Sequence, residues 1–173
     1  MASDPLRALV DAAREGDDRA LGELVRRTQP AVWQLCTTLG SAGEEEDLVQ
    51  ETYLRALRGI DGYRGDAPVL AWLLAIARRV CADHVRRRQR GRRLVQRLLA
   101  QADEGVVHVG EPIEDLLRHL DADRREAFVL TQMIGLSYEE AAIAMECPIG
   151  TVRSRVARAR ADLASLVRRA QAR

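Results

Sequence analysis

Apolar residues recur every three to four positions along most of this chain, a period that predicts α-helices. In EEEDLVQETYLRALRGI the apolar stripe comprises Val49, Tyr53, Ala56, Leu57 and Ile60. In the next periodic segment the stripe comprises Val69, Trp72, Leu73, Ile76, Ala77, Val80 and His84. Upstream, DDRALGELVRRTQPAVWQLCTTLG predicts a further helix that bends at Pro30. We therefore predict an all-α fold.

The helical pattern is interrupted once, and the interruption divides the chain. Residues 95–111 lose the period, contain two glycines and are followed directly by Pro112, as is typical of a linker. We predict two small helical domains, residues 1–94 and residues 112–173, joined by this flexible linker. Each domain is small enough to depend on a partner for part of its stability.

The second domain contains the pattern of a helix-turn-helix. Ser137 followed three residues later by Glu140 predicts a capping box at the start of one helix, and Pro148 suits the first turn of the next. On a helical wheel, one stripe of the second helix comprises Val152, Val156, Ala159 and Leu163. The opposite face comprises Arg153, Ser154, Ala157 and Arg158. In such motifs the first turns of the second helix meet base edges in the major groove.

Charge supports contact with nucleic acid only when its distribution is considered. The formal net charge is +1. However, residues 78–97 carry nine arginines against one acid, whereas residues 44–51 carry five acids and no base. A solvated arginine-rich helix is the alternative interpretation of the basic segments, and the capped helix and tight turn before Arg153 favour DNA binding.

Other function classes receive no support from the sequence. The cysteines Cys36, Cys81 and Cys147 lie far apart, without metal-ligand or disulfide spacing. No phosphate-binding glycine loop, HExxH motif or nucleophile–base set is present, so we predict no catalytic residues, no metal and no cofactor. We find no targeting signal and no membrane-spanning stretch, so we expect a cytoplasmic protein without membrane insertion.

Leu54 departs from the apolar stripe of its helix. At 100° per residue it lies about 120° from the centre of that stripe, among polar residues. A single exposed leucine is ordinary on a protein surface, and a leucine ringed by polar residues is also typical of a docking surface. The pattern alone leaves both interpretations open.

Three segments together resemble one family. LSYEEAAIAMECPIGTVRSRVARARADL resembles the second conserved region of bacterial extracytoplasmic-function (ECF) sigma factors. EDLVQETYLRAL and AWLLAIARRVCADHVRR resemble their first conserved region, in the same order and at the same separation. Within the family, the chain resembles the mycobacterial SigC-like group.

The resemblance implies partners and site residues for each domain. The partners are core RNA polymerase, through its β′ clamp helices and β flap, promoter DNA and, in some members, an anti-sigma factor. The residues implied to face polymerase are Asp47, Gln50, Glu51, Leu54 and Arg55. Those implied to contact the downstream promoter element and its strand are Tyr63, Trp72, Arg78, Arg79, Arg86, Arg87 and Arg88. Those implied at the upstream element are Gly150, Thr151, Arg153, Ser154, Arg155, Ala157 and Arg158.

The resemblance implies a sigma factor that directs promoter recognition, DNA melting and transcription initiation. Two positions depart from the family pattern: Arg79 stands where many members have Asn, and Ala157 is smaller than its counterpart in some relatives. The alternative is a stand-alone helix-turn-helix regulator. The first domain separates the two hypotheses, because it carries a polar docking face and a basic, Trp-bearing helix where a regulator needs an effector pocket or dimer face.

Overall fold

The computed structural model describes residues 4–96 and 113–171, and these residues contain helices and no strand. The all-α prediction is therefore confirmed. The first group of helices comprises α1 (Arg7–Arg14), α2 (Asp18–Leu39), α3 (Glu45–Arg58), a 3₁₀ turn (Ile60–Gly62) and α4 (Val69–Gln96). The second comprises α5 (Ile113–Arg118), α6 (Ala122–Phe128), a π-helical turn (Val129–Met133), α7 (Tyr138–Ala144) and α8 (Ile149–Gln171). Most of the predicted linker, residues 97–111, lies outside the described residues.

Local signals account for the starts of α2 and α3. The Asp17 side chain accepts hydrogen bonds from two backbone N–H groups in the first turn of α2, which continues through Pro30 to Leu39. Three acids occupy the first turn of α3, at the positive end of the helix dipole.

The predicted apolar stripe of α3 is wrong at one position. Val49 and Ala56 are buried as expected, but Leu57 is 38% exposed. Leu48 and Thr52 are buried instead, because α3 packs against α2 and α4 through a face rotated away from Leu57.

The second group of helices follows its local signals closely. Ser137 and Glu140 form the predicted capping box at the start of α7. Gly135 has a φ of +86°, which suits a residue without a Cβ and ends the preceding helical segment. Glu146, in the turn between α7 and α8, also has a positive φ, of 53°.

The two groups of helices pack against each other. α4 contacts α7, and a single hydrophobic cluster includes Leu74, Ala77 and Cys81 of α4 together with Ala141 and Met145 of the second group. A small helical domain buries a modest share of its surface by itself, and this packing extends the core of both. No helix in the described part of the chain combines the length and apolar character needed to cross a membrane.

Candidate nucleic-acid and polymerase interface

Helix α8 presents the two faces that its sequence predicts. Val152, Val156, Ala159 and Leu163 are between 0% and 9% exposed. The residues of the opposite face are exposed to solvent: Arg153, Ser154, Ala157 and Arg158. The apolar stripe thus anchors α8 in the second group of helices and leaves one basic face with small residues open to an incoming surface.

The residues predicted at the upstream element differ in how far their side chains are exposed or engaged within the chain. Gly150 is exposed at the start of α8, and Thr151 is half-buried. Arg155 is held inside its own domain, because its guanidinium forms an ion pair with Asp123. Arg153 remains exposed, with its guanidinium 5.9 Å from the ring centre of Tyr138.

Helix α3 exposes three of the five residues predicted to face polymerase. Asp47, Gln50 and Leu54 are exposed, and Leu54 is 41% exposed. Leu57, one turn beyond Leu54, is also exposed. The sequence pattern missed Leu57 because it assigned this residue to the interior.

Of the other two residues predicted to face polymerase, Arg55 joins α3 to α4, and Glu51 pairs with Arg55 on α3. Arg55 Nε lies 2.7 Å from Glu51 Oε1, and its Nη1 lies 3.0 Å from Asp83 Oδ2. The hydrogen bond with Glu51, followed by that with Asp83, raises the pKa of Arg55. The same contact with Arg55 lowers the pKa of Asp83. Glu51 and Arg55 are therefore partly engaged within the chain.

The segment between α3 and α4 buries one of its predicted DNA-binding residues. Tyr63 is 5% exposed, its hydroxyl donates to Ala67 O at 2.6 Å, and its ring lies 5.0 Å from that of Trp72. Burial raises the pKa of the Tyr63 phenol. In this arrangement Tyr63 supports the loop from inside. Trp72 is half-buried and lines a pocket of about 340 Å³ with Arg79.

The basic residues predicted on α4 fall into two groups. Arg78 forms an ion pair with Glu126 of α6, and Arg79 forms one with Glu146, which follows α7. Both pairs cross from the first group of helices to the second. Further along α4, Arg86, Arg87 and Arg88 are exposed. Arg86 lies 3.2 Å from Asp83, and Arg88 lies 3.7 Å from Glu44.

Glu126, the buried partner of Arg78, was not predicted from the sequence. It is 8% exposed, and burial is the largest cause of the raised pKa of its carboxyl group, which the nearby Arg78 acts to lower. A glutamate among charged neighbours in a helix is typical of a solvated face, so no local signal marked it. Only the packing of α6 against the first group of helices brings it to Arg78.

The described residues contain no group of three or more histidines, cysteines or acids arranged to hold a metal ion. The nearest pair of thiols is Cys36 and Cys81, whose sulfur atoms lie 3.9 Å apart in the buried core between α2 and α4.

Comparisons with known proteins match each of the two groups of helices to a described family. Residues 24–91 match the family described as Sigma-70 region 2, and residues 110–163 match Sigma-70, region 4. The ECF RNA polymerase sigma factor SigC of Mycobacterium tuberculosis is 42% identical over 168 residues, which cover 91% of this chain and 88% of SigC. The sigma-E factor of Haemophilus influenzae is 32% identical and covers 89% of this chain and 90% of its own length.

The chain belongs to the ECF sigma factors. It is an alternative sigma factor of the SigC-like type, which binds core RNA polymerase and promoter DNA and directs transcription initiation. The prediction of a sigma factor is confirmed, and the alternative of a stand-alone regulator does not account for a region 2 that precedes region 4.

Two solved structures resemble the whole arrangement of this sigma factor. CnrH, in complex with the cytosolic domain of CnrY, is 31% identical with a TM-score of 0.74 and covers 93% of this chain and 96% of its own. RpoE of Bartonella quintana, in complex with the anti-sigma factor NepR, is 31% identical with a TM-score of 0.70 and covers 86% and 96%.

Proposed function

We propose that this sigma factor reads the upstream promoter element through α8. The proposal rests on one observation: Arg153, Ser154, Ala157 and Arg158 are exposed together while the opposite stripe of α8 is buried. Small side chains at Ser154 and Ala157 allow close approach to the duplex, and the two arginines can donate to guanine edges or phosphates. Gly150, Thr151 and Arg155 lie near the DNA backbone in this proposal.

The first domain, residues 1–94, docks on polymerase through the exposed side of α3. Asp47, Gln50 and Leu54 form the centre of this surface, and Leu57 enlarges its apolar part. An apolar patch within a polar rim is typical of a protein interface. In this proposal the surface meets the β′ clamp helices of polymerase, while the second domain, residues 112–173, contacts the β flap.

The downstream promoter element is bound between the loop 61–68 and α4. Trp72 offers a half-buried aromatic ring at the pocket that Arg79 also lines, and Arg86, Arg87 and Arg88 offer positive charge for phosphates. Arg78 and Arg79 pair with Glu126 and Glu146 in the described arrangement. The two domains therefore separate before these two arginines contact DNA.

The proposed role is non-catalytic and is carried out in the cytoplasm, where polymerase and promoter DNA are found. Because RpoE of Bartonella quintana is bound by an anti-sigma factor and shares the fold of this chain, we include such a protein among the proposed partners.

A substitution on α3 tests the polymerase surface. Leu54→Arg should weaken binding to core polymerase by about tenfold or more, because a charge replaces an apolar contact at the centre of the interface. Trp33→Arg is the matched control, since Trp33 is 40% exposed on α2 of the same domain and Leu54 is 41% exposed on α3. Binding is measured by titrating labelled core polymerase, and thermal unfolding is recorded for both variants. Equal binding by the two variants would contradict the assignment.

A substitution on α8 tests the reading of the upstream element. Arg158→Ala should cost about 1–3 kcal/mol at the preferred upstream sequence if Arg158 contacts a base. Arg169→Ala, an exposed arginine near the end of the same helix, controls for the loss of charge. Transcription by the reconstituted holoenzyme from a randomised upstream element gives the comparison. A loss that is uniform across all sequences would instead assign Arg158 to a phosphate.

A further inference from the structure

One arginine of α1 holds the backbone of a loop that lies far from it in the sequence. Arg14 Nε donates to Ile60 O at 2.8 Å, and Arg14 Nη2 donates to Ile60 O at 2.5 Å. The same Nη2 lies 3.4 Å from Asp61 O and also donates to Tyr63 O. The planar guanidinium suits this task because it presents several N–H donors in a fixed geometry. Arg14 is thus the common partner of three carbonyl groups in the segment that leads from α3 into α4.

The loop is also held through its buried tyrosine. The guanidinium carbons of Arg7 and Arg14 lie 5.3 Å and 5.9 Å from the ring centre of Tyr63. Both distances fall within the range of cation–π attraction. Trp72 of α4 contacts the same ring at 5.0 Å, so Tyr63 is enclosed between α1 and α4. Gly65, with a φ of +81°, leaves the space that the Arg7 guanidinium occupies.

A carboxylate that precedes α1 fixes the other end of the loop. Asp4 Oδ2 accepts from Val69 N, the first residue of α4, at 2.6 Å. Asp4 Oδ1 accepts from Leu6 N at 2.9 Å. One side chain therefore joins the approach to α1 to the start of α4. Both ends of the loop are thereby tied to the same short segment.

This network lies on one side of the loop and leaves the other side open. Arg64 and Asp66 are exposed, whereas Tyr63 is buried beneath them. The segment that carries Asp4, Arg7 and Arg14 precedes residues 24–91, which match Sigma-70 region 2. The loop 61–68 lies within that match, whereas the residues that hold the loop lie outside the match.

We propose that Arg14 and Asp4 are positioning residues for the downstream promoter element, and that they hold the loop 61–68 in the shape that accepts an unpaired base. The inference rests on the proposed role of this loop. Extrusion of a base costs a few kcal/mol, and contacts in the receiving pocket offset that cost. A loop already held in shape loses less freedom when the base arrives, so selectivity between bases is retained.

The test compares base selectivity at the two promoter elements. Wild-type protein, Arg14→Gln and Arg19→Gln are each assembled with core polymerase and transcribe two libraries, one randomised at the downstream element and one at the upstream element. Arg19 is the matched control because it is exposed and the substitution removes the same charge. Sequencing of the transcribed templates gives the ratio of preferred to disfavoured bases at each position.

Arg14→Gln should lower the downstream ratio about two- to tenfold, the effect of losing one or two hydrogen bonds that hold the loop. The upstream ratio and the amount of holoenzyme formed should match those of Arg19→Gln. Arg14→Lys should give an intermediate downstream ratio, because an ammonium keeps the charge near Tyr63 but lacks the planar set of donors. Asp4→Asn replaces one of the two accepting oxygens with an NH2 group, which cannot accept from a backbone N–H. It should show the same selective loss, and it provides the test if Arg14→Gln folds poorly.

An equal loss at both elements would overturn the proposal, because Arg14 would then act only through general stability. An unchanged downstream ratio in both Arg14→Gln and Asp4→Asn would also overturn it. If wild-type holoenzyme showed no preference at the downstream element but retained its upstream preference, the proposed role of the loop itself would fail, and the inference with it.

Discussion

Replacement of Glu126 by Gln tests what the buried ion pair between the two domains contributes. The Glu126 side chain is 10% exposed and pairs with Arg78, whose side chain is 28% exposed. Burial, and to a lesser extent the nearby Asp123, raises the pKa of Glu126, and attraction to Arg78 and Arg155 does not reverse the rise. The ionised carboxylate is therefore less favourable in the packed chain than in water.

The expected change in the free energy of unfolding depends on whether burial of the carboxylate or its attraction to Arg78 is the larger effect. Loss of one partner of a buried ion pair costs about 3–5 kcal/mol when it leaves the other charge uncompensated. Here Arg78 keeps some access to solvent, and the Gln side chain has the same shape and retains an oxygen that can accept from Arg78. A neutral hydrogen bond contributes about 0.5–1.5 kcal/mol. We therefore expect Glu126→Gln to change the free energy of unfolding at neutral pH by less than about 1 kcal/mol.

The pH dependence gives a second, independent check. A carboxyl group whose pKa rises on folding binds its proton more tightly in the folded chain. The contribution of this group to the stability of the folded chain is fully present below its ordinary pKa of 4.5. That contribution is lost as pH rises through the raised pKa of the folded state. Relative to Glu126→Gln, the wild-type chain should thus be most stable in acid and should lose that advantage as pH rises.

The assay is urea unfolding at about pH 5, 6, 7 and 8, followed by the far-ultraviolet circular dichroism of the helices. The free energy of unfolding is obtained by linear extrapolation to water. Glu139→Gln is the control, because the Glu139 side chain is 68% exposed and lies in the second domain. A loss of more than about 2 kcal/mol at neutral pH would show that attraction to Arg78 outweighs burial and would refute the reasoning. The same conclusion would follow if the difference from wild type were independent of pH.

Two further substitutions test the local structure. Ser137→Ala removes the side-chain cap of α7 and should lower the free energy of unfolding by about 0.5–2 kcal/mol in the same urea assay, and an unchanged value would show that the capping box is dispensable. Gly40→Ala should lower it by about 1–3 kcal/mol, since a Cβ there would collide with the Leu48 side chain and the carbonyl oxygen of Cys36. Gly22→Ala on α2, where a Cβ meets open space, should instead raise it by about 0.5–1 kcal/mol, and a loss at both positions would point to a cause other than the collision.

Features governed by neighbours along the chain were predictable from the sequence. The capping box at Ser137 joins residues three apart, and the two faces of α8 follow from helical geometry alone. Periodicity gives the direction of each side chain about its own helix axis. It thereby separated Val152 and Val156 from Arg153 and Arg158 and placed Leu54 on the outside of α3.

Periodicity does not specify which neighbouring helix a face will meet. The features that the sequence did not predict all depend on this packing of one helix against another. The buried arc of α3 is rotated enough to expose Leu57, because α2 and α4 together determine which side is covered. Tyr63 is buried, and its ring lies near Arg7 and Arg14 of α1 and Trp72 of α4, contacts that no local pattern specifies.

The sequence by itself determined the helices, the basic face of α8 and the order of two promoter-reading regions. Only the tertiary structure decided which charges are available. Arg78 and Arg79 carry the same sequence signal as Arg86, whose ion pair with Asp83 lies within α4, yet Glu126 and Glu146 engage the first two across the contact between the domains. The physical reason is that an ion pair between residues distant in the chain depends on how whole helices pack, and no local pattern records that packing.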